Sequence, residues 1–147
     1  MTRRDNVTFD LFSVPQPAAP ISAGMDYRST VSRMVSQMLD EADTAGMHRA
    51  DVAAECSRLV GKDISKYMLD AYSSPAREDY NAPAYLMPAL ESACATHAFS
   101  GWIAEVRGGQ LLIGAEALNA ELGRLEQIKH ATAVRIRDLK RAMGEHL

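Results

Sequence analysis

The stretch ADVAAECSRLVGKDISKYMLDAY, residues 50–72, contains two short helical patterns that meet at Gly61. Val52, Ala53, Cys56, Leu59 and Val60 recur at three- and four-residue steps, the spacing that gathers side chains on one side of a helix. Gly61 then supplies a turn. The second helix begins at Ser65, whose hydroxyl can accept an orphan backbone N–H of the following turn. Ile64 and Leu69 are spaced to pack across that start as a hydrophobic staple. Lys66, Tyr67 and Asp70 are left facing outward. Two capped helices around a glycine corner make the pattern of a helix-turn-helix, although the same corner occurs in helical bundles that touch no nucleic acid.

In a DNA-reading version of this motif the start of the second helix approaches base edges and phosphates. Ser65, Lys66 and Tyr67 are then the readers. Arg58 before the turn, Lys62 within it and Arg77 in the connection beyond it are placed to hold phosphates. The overall charge requires any such contact to be local, because 16 Lys and Arg stand against 19 Asp and Glu for a net of −3, where a self-sufficient DNA binder tends to be basic. Basic residues concentrate instead near the end of the chain, where Arg124, Lys129, Arg135, Arg137, Lys140 and Arg141 face only Glu126 and Asp138. A solvated helix surface is a commoner explanation of such a run than a phosphate-steering tail.

Outward from the corner, the chain divides into three parts. Residues 1–25 read as an extended arm, since Pro15, Pro17 and Pro20 forbid a regular helix. Phe9, Leu11 and Phe12 form an apolar cluster in that arm, suited to folding back on the domain or docking into a host protein. Its FDLF stretch is similar to the short peptides by which many bacterial replication proteins engage the sliding clamp. Residues 26–110 read as a helical domain. It opens on an amphipathic helix from Tyr27 to Ala45, with Val31, Met34, Val35, Met38, Leu39 and Ala42 as its apolar stripe. Further helices are expected at Leu86–Ala95 and Phe99–Val106, with Trp102 as a structural side chain at the end of the domain.

Residues 111–147 read as one long oligomerisation helix. Leu118, Leu122, Leu125, Lys129, Thr132, Ile136, Leu139 and Met143 follow alternating four- and three-residue steps, a heptad seam interrupted at its centre by Lys129 and Thr132. Ile128, Ala131 and Val134 offer a second stripe. So long a helix has more apolar positions than one small domain can cover, which favours self-association in the manner of a coiled coil.

The chemistry-bearing patterns are sparse. Nucleotide-binding glycine loops, an HExxH pair and a GxSxG elbow are all missing from the sequence, and the four histidines are scattered. Cys56 and Cys94 lie far apart without ligand spacing, so neither a metal site nor a disulfide framework is expected. No catalytic residue and no cofactor is assigned. Nor does any run of apolar residues suffice to cross a bilayer, and the first residues lack a signal peptide's hydrophobic stretch, which together suggest a cytoplasmic protein.

Where GKDISKYMLDAYSS is followed by YNAPAYLMPALESACATHAFSGWIAEVRGG, the chain resembles the CII-like regulators of P2-type phages, and more closely small early-region proteins of Mu-like transposable prophages. The resemblance covers residues 50–109 and rests on the order of a glycine turn, a short capped helix, an acidic-polar loop, a leucine-proline helix start and a helix ending in glycine. It implies a phage-encoded helix-turn-helix protein, often oligomeric, acting on transcription. The expectation is therefore an all-α protein with a helix-turn-helix and a long C-terminal helix, binding double-stranded DNA as an oligomer. The alternative is a non-enzymatic module that binds a host protein without touching DNA.

Overall fold

Apolar residues at helical spacing, separated by glycine and proline breaks, give a chain that is helical throughout its ordered elements. The structure, a computed structural model, describes residues 14–144. Among the described residues there are six α-helices and no named strand: α1 (Arg28–Thr44), α2 (Arg49–Val60), α3 (Lys66–Tyr72), α4 (Met87–Ala93), α5 (Ala98–Val106) and α6 (Ala115–Ala142). Short 3-10 turns at Pro75–Arg77 and Ala84–Leu86 punctuate the connection between α3 and α4. None of these helices is long and apolar enough to cross a membrane. The chain separates into two units between Gln110 and Leu111.

In the first unit, α1 buries the stripe that its sequence foretells, with Val35, Met38, Leu39 and Ala42 enclosed and Val31 and Met34 half-buried. Opposite them lie Val52, Ala53 and Cys56 of α2, Leu69 and Tyr72 of α3, and Leu86, Met87 and Leu90 around the start of α4, in one contiguous core. α2 is the hub, packing on α1, α3 and α4. Full burial of a Leu or Met side chain is worth about 2 kcal/mol, so this layer of enclosed side chains accounts for most of the stability of a small helical domain.

Polar groups inside the unit are matched. Ser32 is fully buried and accepts a bond of 3.1 Å from the Asn81 side-chain amide, which also donates to the Arg28 carbonyl at 3.0 Å. That pair ties the connection after α3 to α1. Glu91, 6% exposed, receives the Ser100 backbone N–H at 2.8 Å and its hydroxyl at 2.6 Å, supplying the acceptor that the first turn of α5 lacks. Sequence periodicity gave no hint of either arrangement.

The end of the arm is held. The Ala18 N–H donates to the Val106 carbonyl at 2.8 Å, and Pro17 bridges to Arg107. Gly108 makes this approach possible: it sits at φ +75°, and an added Cβ would come within 2.6 Å of the Pro17 nitrogen. Phe9, Leu11 and Phe12 lie outside the described residues. Trp102 is half-buried, edge-on to Tyr27 at 5.1 Å and tilted against Phe99 at 5.7 Å, an aromatic cluster that fastens α5 to the start of α1.

The second unit consists of the short lead Leu111–Gly114 and α6, 28 residues of continuous helix with no buried residue. Its termini suit the helix dipole, with Glu116 in the first turn and Lys140 and Arg141 in the last.

Candidate nucleic-acid interface

The corner between α2 and α3 is built by local chemistry that the sequence states openly. Gly61 adopts the left-handed conformation at φ 73°, ψ 22°, and its N–H closes α2 on the Ser57 carbonyl at 2.9 Å. The Ser57 hydroxyl then spans the turn, accepting the Ile64 N–H at 2.8 Å while donating within reach of the Ala53 and Ile64 carbonyls. Ser65 is the N-cap of α3, and its Oγ accepts the Met68 N–H at 3.2 Å. Ile64 and Leu69 are both enclosed in the core, one on each side of the cap.

This clamp fixes what the first turn of α3 presents. Tyr67 is 82% exposed, the most exposed aromatic side chain among the described residues. Lys66 is exposed beside it, its ammonium 5.9 Å from the Tyr67 ring centre and 3.0 Å from Asp70. Lys62 projects from the turn, 3.4 Å from the Tyr85 hydroxyl and over that ring. Arg77 shares a shallow depression of about 330 Å³ with Tyr67, Asp70, Ala71 and Ser74. Ser65, Lys66, Tyr67 and Arg77 therefore belong to one neighbourhood around the exposed end of α3.

Electrostatics divide these cations into two kinds. Arg58 is held in a two-pronged pair by Glu55, with contacts of 2.9 and 2.6 Å, and the guanidinium keeps the Glu55 carboxyl below its usual range. Lys66 shares Asp70 with Arg49, which approaches to 2.8 Å from the start of α2. Bonds from Arg49 first and Lys66 second hold the Asp70 carboxyl below its ordinary value. Lys62 and Arg77 make no ion pair among the described residues. Asp79, which the sequence leaves available to Arg77, is taken by Arg28. Exposed pairs of this type are weak because water screens them, so phosphates can compete for Arg58 and Lys66 at small cost.

Two residues of the neighbourhood escaped sequence reasoning. Arg49 looks like an ordinary first-turn residue, yet it neutralises Asp70 and donates to the Ser73 hydroxyl at 3.1 Å, joining α2 to the far end of α3. Leu59 shares the helical stripe of Val52 and Cys56, but it is 41% exposed. The helix turns it away from the core into a shallow groove with Val60, Tyr85, Pro88 and Ala89. α2 is too short for the three-to-four-residue stripe to stay against the core to its last turn.

The thiols are chemically quiet. Burial pushes both Cys56 and Cys94 up to about 11, and neither is disulfide-bonded. Among the described residues no three His, Cys, Asp or Glu side chains converge in a way that could hold a metal ion. No known family model, curated protein or solved structure matches this chain.

Proposed function

We propose that this protein is a DNA-binding regulator, built on a helix-turn-helix formed by α2 and α3 and acting as an oligomer through α6. The observation that carries this reading is the exposed first turn of α3, where Lys66 and Tyr67 stand clear of the core and where Lys62, in the preceding turn, and Arg77 make no ion pair among the described residues. An exposed helix start offers outward-facing side-chain donors, the arrangement that contacts base edges and phosphates in the major groove. Ser65, Lys66 and Tyr67 serve as readers. Arg58, Lys62 and Arg77 serve as phosphate contacts, Arg58 after exchanging Glu55 for a phosphate.

The near-neutral surface makes a single site weak, and an oligomer compensates by binding two sites at fixed spacing. The order of elements from Gly61 to Gly109 is similar to that of phage regulators, so transcription or phage DNA transactions in a bacterial cytoplasm form the setting. The test is anisotropy of a labelled mixed-sequence duplex with wild type and Lys62→Ala/Lys66→Ala. The wild type should bind at low salt, and the double variant should bind about tenfold more weakly, two phosphate contacts together being worth roughly 1.4 kcal/mol after screening.

A second reading has its own observation. The groove lined by Leu59, Val60, Tyr85, Pro88 and Ala89 encloses about 550 Å³ of shallow, largely apolar space between α2 and the start of α4, suited to a host protein's apolar side chains. Absence of duplex binding at low salt, with the fold intact, would favour this module over the regulator.

A further inference from the structure

We infer that α6 pairs with α6 of a second copy in an antiparallel two-stranded coil. The inference rests on the reading that α6 self-associates, and adds its orientation, register and flanking charge pairs. α6 spans about 42 Å at 1.5 Å per residue, long enough for four heptads. Its seam is unpartnered: Leu118 is 74% exposed, Leu122 56%, Leu125 49%, Ile136 50% and Leu139 56%.

Charge beside the seam decides the direction. Glu121, Ile128 and Arg135 run along one edge of the stripe, and Glu126, Ala133 and Lys140 along the other. In a parallel, in-register pair, each residue of the first edge meets the residue five positions later on the partner helix. Glu121 then faces Glu126 of the second copy, Arg135 faces Lys140, and Lys129 meets Lys129 in the core. Both flanking contacts are repulsive.

Reversing one helix turns both flanking charge contacts favourable, because like edges now meet each other. Glu126 faces Lys140 of the second copy, Glu121 faces Arg135, and each pair occurs twice by symmetry. Ile128, half-exposed on its edge, meets Ile128, and Ala133 meets Ala133. The core layers fit the same register. Leu118 packs with Met143 of the second copy, Leu122 with Leu139 and Leu125 with Ile136, while Lys129 and Thr132 pair only with each other. The two polar positions are thus confined to adjacent central layers, where the Lys129 stems can lie along the seam with their ammonium groups in water. Shifting the antiparallel register by a heptad would set Lys129 or Thr132 against leucine or isoleucine and shorten the overlap.

Sedimentation equilibrium of the full chain at low ionic strength tests orientation separately from DNA binding, with far-UV circular dichroism confirming helicity. Wild type should be dimeric. Glu126→Lys places like charges opposite Lys140 twice and should weaken the dimer about tenfold, whereas in a parallel pair it relieves the clash with Glu121 and tightens it. The charge swap Glu126→Lys/Lys140→Glu should restore wild-type affinity. A dimer that Glu126→Lys tightens or leaves unchanged, or whose loss the swap fails to repair, overturns the antiparallel pairing and leaves self-association standing. A monomeric wild type overturns both.

Discussion

If the exposed end of α3 meets DNA as proposed, Asp70 is the negative charge that opposes phosphate there. It stands half-buried between Arg49 and Lys66, accepting a bond from each. Asp70→Asn keeps the shape and the acceptor oxygen while removing the negative charge. Duplex affinity should rise about threefold to tenfold at low salt, a change of roughly 1 kcal/mol, readable by anisotropy. Beside a phosphate Asp70 is repulsive unless Arg77 or Lys66 pairs with it; among the described residues Lys66 does and Arg77 does not. The principal partner, Arg49, was illegible because it is 21 residues away. Gly108 presents the opposite case: its place next to Gly109 reads as a helix end, but its contact with Pro17 depends on where the arm lies. Gly108→Ala combines a positive φ with a Cβ too close to backbone, and should cost about 1–3 kcal/mol in denaturant melts.

At the scale of elements, the boundaries that carry their own chemistry are legible. Ser65 is the N-cap its spacing promises, and Ser65→Ala should lower stability by about 1 kcal/mol in the same melts, with α3 fraying first. α1 ends at Thr44, with Gly46 in the left-handed conformation two residues on, and its stripe is the one the sequence displays. What periodicity does not convey is how one element ties off another, as Glu91 does for α5 and Asn81 for α1. The α1–α2 junction adds a titratable example. His48 Nδ1 lies 2.5 Å from Asp43, and that hydrogen bond, followed by the carboxylate's charge, raises the imidazole above its ordinary 6.5. Because the folded value is raised, the pair's contribution is fully present below pH 6.5 and fades as pH rises through the higher folded value. Proton NMR titration of His48 should show a midpoint above 6.5 that falls back toward it in Asp43→Asn.

The whole molecule combines a helical domain with a long amphipathic helix, and the two differ in how much the sequence discloses. The all-α character follows from apolar residues at helical spacing with few aromatics, and it is what the structure displays. The heptad seam of α6 can be read residue by residue because four- and three-residue steps along one continuous helix need no other element to define them. The α2–α3 corner can be drawn from sequence, but its use cannot, since capping and turn chemistry specify shape without naming a ligand. On the proposed reading, function at this scale joins a weak, nearly neutral DNA contact at α3 to self-association through α6.

The central claim is that the exposed end of α3 meets DNA, and an amide NMR titration of the labelled full chain with a short duplex tests it at the residues concerned. The account predicts that shift changes concentrate at Lys62, Ser65, Lys66, Tyr67 and Arg77 and shrink as salt is raised. Changes confined to α6 or to the Leu59–Tyr85 groove, or none at low salt, would contradict it.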